Sequence, residues 1–260
     1  MVVAQGVYLE RLAWPEAAEL FRRDPLVVLP IGAAAKEHGP HLPLGTDRVL
    51  ADYLAARVAE RVPCVVAPAV TYGYYPSFAH FPGSTHLEAA TFGAAVREIV
   101  LSLHRHGPRR FLILNTGIST FPVLEVVARD LRRGRCVLVG VTRIEDLGGR
   151  ALDGLLRQPA GSHADEYETS LMLTIAPDAV RRDRTVREIP DRPKVRGLFV
   201  PAPLPGPAQP PRTDDEAPRR GTGVFGDATL ATREKGDRIL AAVVPNLIAA
   251  AEYLRAAPVD

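Results

Sequence analysis

The residues most able to do chemistry crowd into one short stretch, where Lys36, Glu37, His38, His41 and Asp47 fall within twelve positions. An imidazole and a carboxylate nine residues apart, His38 and Asp47, suit Zn²⁺, Mn²⁺ or Fe²⁺ better than Ca²⁺ or Mg²⁺, which prefer all-oxygen cages. A plainer reading has Asp47 capping the helix that follows and His38 satisfying loop carbonyls. A second stretch, Gly161 to Ser170, carries His163 and Glu168. On a helix starting near Ala164, Glu168 shares a face with Ala164, Leu171, Met172 and Ile175. A carboxylate on an apolar face needs a cation, because burying an unpaired charge costs several kcal/mol, of order 3–5. A metal would serve, as would an internal ion pair with Lys36 or an arginine. His163 is either a base or second ligand, or a helix cap.

A third stretch, Asn115 to Pro122, offers hydroxyls and backbone N–H groups able to hold a carbonyl, carboxylate or phosphate oxygen, or simply to cap a helix. No G-x-G-x-x-G or Walker sequence occurs in this stretch as the chain leaves its strand, which argues against the usual nucleotide folds. Tyr72, Tyr74, Tyr75, Phe78 and Phe81 form an aromatic cluster fit to wall a pocket, and His86 falls where a long helix should open. His104 and His106 lie near the end of that helix and read as structural.

Short apolar runs separated by amphipathic stretches must position these groups. Leu26–Gly32, Cys64–Val70, Arg109–Gly117 and Cys136–Thr142 read as buried strands. Thr46–Val62, His86–Gly107, the run from Pro122, Ala164–Asp178 and Arg233–Ala257 read as helices. Continuous apolar strands between helices indicate a mainly parallel sheet covered on both faces, with ligands at the carboxyl ends of its strands. Nine prolines between Ile189 and Pro218 mark an excursion of about 189–218 from what is otherwise one domain over 1–260.

The composition, 47% hydrophobic, excludes global disorder. Net charge is +2 without a basic patch, which argues against nucleic acid as partner. The apolar runs read as too short to cross a membrane, and the charged N-terminal stretch does not read as a signal peptide, so the expected location is cytoplasmic. Cys64 and Cys136 lie in apolar runs and read as core thiols.

Taken together, LPIGAAAKEHGPHLPLGTD, TYGYYPSFAHFPGSTHL, GSHADEYETSLML and GVFGDATLATREKG resemble the creatininase (creatinine amidohydrolase) family, in that family's order and over most of the chain. The resemblance implies a three-layer α/β/α sandwich, a homo-hexamer, and a divalent-metal centre that hydrolyses small or cyclic amides. His38 and Asp47 match two family ligands, Asp47 the one that bridges two metals. Glu168 matches a metal-associated carboxylate, and His163 a proton-transferring histidine. Two positions depart from the pattern: Lys36 stands at a glutamate ligand, and Gly117 at the histidine of an N-G-H-G-G-N run. Both lost ligands serve the same metal.

The expectation is therefore an amidohydrolase acting on a non-peptide C–N bond of a cyclic amide, amidine or formamide, with creatinine itself disfavoured. One metal position is abandoned, and one divalent ion (Zn, Mn or Fe) is held by His38, Asp47 and a third group, Glu168, with His163 or Glu37 as the other candidates. His163, Lys36 and Glu37 are the catalytic candidates, with Asn115, Ser119, His41 and Tyr74 against the small-molecule substrate. The alternatives are a metal-free homologue working through Lys36, and a non-catalytic metabolite-binding or oligomeric scaffold.

Overall fold

The computed structural model describes residues 5–133, 137–189 and 221–259. The 190–220 part of the proline-rich stretch and Cys136 lie outside them. Five parallel strands form the main sheet in the order β1-β3-β2-β4-β5. They are β1 (Val7–Tyr8), β2 (Leu26–Ile31), β3 (Cys64–Val66), β4 (Arg110–Asn115) and β5 (Leu138–Val141). The helices are α1 (Trp14–Phe21), α2 (Thr46–Ala59), α3 (Ala89–His104), α4 (Phe121–Arg132), α5 (Ile144–Leu147), α6 (Glu166–Ile175) and α7 (Arg233–Ala256). A small antiparallel pair joins β6 (Arg187–Glu188) to β7 (Gly226–Asp227).

Strand alternation sorts the core into two layers, since successive side chains leave opposite faces of a sheet. Leu26 and Val28 of β2, with Leu112 and Leu114 of β4, pack with α2, α6 and α7. Val27, Leu29 and Ile31, with Phe111 and Ile113, pack with Phe92, Val96 and Val100 of α3 and with Leu124, Val127 and Leu131 of α4. The expected three-layer α/β/α arrangement with a mainly parallel sheet is what the chain adopts.

The strand expected over Cys64–Val70 ends at Val66, and the reason is proline chemistry. The carbonyls of Val28 and Pro30 accept from Ala67 and Val70 on the β3 side, so the N–H that Pro30 lacks is missing on that side. Pro68 interrupts the ladder just there, and Val70 rejoins β2 only as an isolated bridge to Ile31. The last helix runs nearly as expected, Arg233–Ala256. It is also long and apolar enough to cross a membrane by length and composition, reaching a mean hydropathy of 1.4 over 18 residues. Its apolar stripe (Ile239, Leu240, Val243, Leu247, Ala251, Leu254) instead lies buried in the layer with α2 and α6. Cys64 is a buried free thiol, as expected, and burial pushes its pKa up to about 12.

Loops leaving the carboxyl ends of β2, β4 and β5 gather above the sheet, the place where parallel α/β folds hold ligands. Gly32, the first residue after β2, passes directly under the carbonyl of Asp47 in the first turn of α2, with no room for a Cβ. Gly32→Ala should therefore lower unfolding free energy by about 1–3 kcal/mol through overpacking, read by urea denaturation. It should also displace the first turn of α2 that carries Asp47.

Candidate active site

The β2–α2 loop carries Lys36, Glu37, His38 and His41, all buried. Asp47 does not cap α2: Gly45 holds the N-cap position and makes no side-chain cap. Asp47 is instead buried in the first helical turn, with Oδ2 accepting from Lys36 Nζ at 2.7 Å and Oδ1 3.0 Å from His38 Nε2. His38 Nδ1–H donates to the Lys36 carbonyl at 2.9 Å, because a carbonyl can only accept. In the neutral ring Nε2 then carries the lone pair and faces a carboxylate oxygen. Two lone pairs 3.0 Å apart require a shared cation, a proton or a metal. Burial works against an ionised Asp47, but the Lys36 ammonium and His38 outweigh it and hold the carboxyl well below the usual range.

Helix α6 brings the second stretch to the same place. Asp165 is its N-cap, accepting from the N–H groups of Tyr167 and Glu168, so the helix begins two residues later than the sequence suggested. Ala164 is fully buried with φ at +47, a left-handed conformation rare outside glycine, and it sets the angle between His163 and Glu168. Its N–H donates to Glu168 Oε2 at 2.5 Å. His163 Nε2–H donates to the Glu37 carbonyl at 2.8 Å, which leaves the Nδ1 lone pair facing Glu168 Oε2 at 3.7 Å. Burial, reinforced by the Lys36 charge, brings His163 down to about 4, so the ring is neutral at physiological pH.

Burial likewise raises Glu168 to about 7, against the pull of His38 and Lys36 and with the added push of Asp47 and Asp165. The ion pair between Glu168 and Lys36 or an arginine, one reading of the sequence, is not what the structure shows for Lys36. That ammonium is committed to Asp47.

Three donor groups thus converge. One atom from each of His38, His163 and Glu168 lies within 4.8 Å of the others. Donors sharing one ion at 2.0–2.1 Å can be at most about 4 Å apart. The set therefore needs to draw in by less than an ångström, and two neutral-capable imidazoles with one carboxylate are the donors a Zn²⁺, Mn²⁺ or Fe²⁺ site uses. Asp47 reaches the group through His38, and Glu168 is buried apart from a side chain 14% exposed.

Behind the donors, Glu37 lies with Oε2 3.3 Å from His163 Nε2, whose hydrogen is already spent on the Glu37 carbonyl, so Oε2 itself has no hydrogen bond. Burial would raise Glu37, but His163 and the Gly39 N–H hold it below its ordinary value. Gly223, at φ +84, rests against this carboxylate with no space for a Cβ. His163 is flanked by His38, ring centroids 4.7 Å apart, and by Phe78 at 4.1 Å.

Two hollows flank the centre. A small one of about 10 Å³, enough for one water-sized group, is lined by Lys36, Asp47, Tyr72, Tyr75, Asn115 and Ser119, among others. A larger one of about 330 Å³ has Glu168 in its wall, with Leu50, Ile118 and residues after β5. The remaining expected residues divide between them and the core. Asn115 spends its side chain within its own loop, donating to the Gly117 carbonyl at 2.7 Å and accepting from Thr120 at 2.7 Å. His41 is fully buried and hydrogen-bonded to Thr169 Oγ1 at 2.8 Å, a tie between loop and α6. Tyr74 packs against the α3 layer, while Tyr72 and Tyr75 are the tyrosines that reach the small hollow. His86 precedes α3 by three residues, and His104 donates to the Pro108 carbonyl at the end of that helix.

Several participants carry little signal in the sequence. Phe225 and Gly223 belong to a strand-like return, where Phe225 pairs with His163 through backbone hydrogen bonds. Asp165 could have been found: an Asp followed three residues later by Glu is a helix-start signature.

A parallel sheet with imidazoles and carboxylates gathered over its carboxyl edge, beside a ligand-sized hollow, is the architecture of an α/β enzyme with its site at the strand ends. A family model for creatininase, described as creatinine amidohydrolase, matches residues 10–251. The chain belongs to the creatininase family of amidohydrolases, which act on C–N bonds. It is 32% identical to the creatinine amidohydrolase of Pseudomonas putida over 94% of this chain and 96% of that protein. It is 29% identical to the mycofactocin precursor peptide peptidase of Mycolicibacterium smegmatis over 92% of each. Among solved structures it is similar to a Zn–Zn form of a creatininase variant (TM-score 0.76, 30% identity, 96% of this chain and 98% of that one). A manganese creatininase matches equally well (0.76, 30%, 97% and 100%).

Two outcomes follow from these charges. Lys36→Met leaves Asp47 buried without its ammonium and should cost about 3–5 kcal/mol of stability in chemical denaturation. In protein stripped of divalent ions, Glu168 has a folded pKa near 7 against an ordinary 4.5. Its unfavourable contribution is thus absent at acid pH, grows as pH rises from about 4.5 to 7, and then stays, reaching about 3 kcal/mol. Glu168→Gln should remove that pH-dependent difference when unfolding curves of the two proteins are compared at pH 5 and pH 8.

Proposed function

We propose that the protein hydrolyses the non-peptide C–N bond of a small cyclic amide, amidine or formamide, using one divalent ion, Zn²⁺, Mn²⁺ or Fe²⁺. The observation that carries this reading is the convergence of His38, His163 and Glu168 beside an Asp47 already neutralised by Lys36. His38, His163 and Glu168 would hold the ion, with Asp47 on the His38 side. This gives His163 a ligand's place instead of the proton-transfer role expected from the family pattern. When bound, the ion supplies Lewis acidity that polarises a carbonyl and makes water a better nucleophile at neutral pH.

The chain's own residues do the rest. Lys36 puts a fixed positive charge where the family pattern has an anionic ligand, so Asp47 stays ionised without a second ion. Its ammonium also borders the water-sized hollow with Ser119, a place suited to a substrate carbonyl oxygen as negative charge develops on it. Glu37 fixes the His163 ring through its backbone carbonyl, so that Nδ1 faces the site. Asn115 shapes the loop under that hollow.

A second reading has some support from the same ion pair: with Lys36 2.7 Å from Asp47, the ammonium alone could replace metal charge. Metal analysis of protein purified without chelator decides between them. The expected result is about one Zn, Mn or Fe per chain, bound in the manner of a single site. It should be lost in His38→Ala and Glu168→Gln, and turnover of a lactam and formamide panel should vanish with a chelator and return on adding the ion. Metal-free protein with chelator-insensitive turnover would overturn the one-ion reading in favour of Lys36.

A further inference from the structure

The larger hollow carries information about the substrate that the donor set does not. It encloses about 330 Å³ and shares Glu168 with the reactive centre, a volume within the range of small-molecule sites. One side is aliphatic: Leu50 from α2, Ile118 from the loop after β4, and Ile144, Leu152 and Leu156 from the segment after β5. Ile144 is 7% exposed and Leu50 1%, so this wall is anchored in the core rather than laid over it. Among the described residues the charged groups lining the hollow are Glu145, Asp165 and Glu168, with no lysine or arginine. Of these, Asp165 is held by its own helix N–H groups and by Gln158 Nε2 at 2.6 Å, so its position is fixed.

An aliphatic wall beside fixed carboxylates favours one class of group and disfavours another. Each methylene moved from water onto such a wall improves binding by about fourfold. A carboxylate there would meet the like charges of Glu145 and Asp165, which the ion proposed at Glu168 does not ligate, with no lysine or arginine beside them among the described lining residues. Resting on the hydrolytic reading above, we propose that this hollow is the pocket for an aliphatic substituent of the amide. The substrate class is then an alkyl-bearing amide or formamide without a carboxylate on its chain, larger than the smallest members of either class. In the reaction water adds across the C–N bond, giving a carboxylic acid and an amine; the alkyl group stays in the hollow and takes no part in bond making.

The test is a chain-length series on the metal-loaded wild-type protein. N-alkylformamides from methyl to hexyl and primary amides from acetamide to hexanamide place the alkyl group on the nitrogen or the acyl side. In one of the two series kcat/KM should climb by about threefold to fourfold per methylene, and N-formyl-6-aminohexanoate should be at least tenfold poorer than N-hexylformamide. Calorimetry reads the same preference without turnover: N-hexylformamide or hexanamide should bind at least tenfold more tightly than its one- or two-carbon counterpart. Leu156→Trp and, separately, Leu152→Phe, each checked for folding by circular dichroism, should lower the long-to-short ratio. Turnover of short amides with a flat series in both directions, or equal binding of long and short members, overturns the pocket and leaves the hydrolytic reading standing. No turnover with any amide, together with preferential binding of the long members, overturns the hydrolytic reading and leaves the pocket.

Discussion

Asp47 is the constraint around which the site is arranged. It is a carboxylate buried at the start of α2, and the interior tolerates it only because Lys36 and His38 each take one of its oxygens. That pairing draws the β2–α2 loop down onto the helix. It also fixes the His38 ring between a carbonyl and the carboxylate, and places a permanent positive charge at the carboxyl edge of the sheet. The neighbouring groups respond to that charge. His163 is kept neutral partly by it, and Glu168 is drawn back toward ionisation by it while burial pushes the other way. A loop that looked like a collection of separate candidates is a single electrostatic unit.

The second half of the site depends on an angle rather than a charge. Ala164 in a left-handed conformation turns the chain between His163 and the start of α6, so an imidazole and a carboxylate five residues apart in sequence face one another at 3.7 Å. Asp165 then caps the helix and Phe78 covers the imidazole. Such a backbone conformation costs of order 1 kcal/mol or more outside glycine, and it is held by the buried packing around it. Glu168, whose carboxyl burial pushes toward the neutral form, is the member of the centre that borders the larger hollow.

Membership of the creatininase family accounts for the parallel sheet and its covering helices, and the structure gathers His38, Asp47, His163 and Glu168 at one edge of that sheet. Lys36 gives the centre a buried ammonium paired with Asp47, and the loop after β4 carries a glycine, Gly117, without an ionisable side chain. Thr120 closes over Gly117, its hydroxyl donating to Asn115 Oδ1 at 2.7 Å and lying 2.8 Å from the Gly117 carbonyl, so the loop is filled by its own atoms.

Much of this was legible in the residues themselves. Apolar runs such as Leu26–Ile31 and Arg110–Asn115 announce buried parallel strands because nothing else places six successive apolar or ladder-forming residues in a covered sheet. Glu168 among Leu171 and Met172 announces a buried carboxylate that needs company, because helical periodicity is a local property. What it needed could not be read locally. Whether Lys36 would pair with Asp47 or with Glu168, whether His41 would face a ligand or Thr169, and which tyrosine would reach the hollow are all settled by contacts across more than ten residues of chain. So are the Gly223 contact with Glu37 and the wall built by Ile144, Leu152 and Leu156. Sequence fixes periodicity and chemical type, since both live within a few residues. Partner choice belongs to the tertiary structure, because a buried charge or donor is satisfied by whichever group packing brings within about 3 Å.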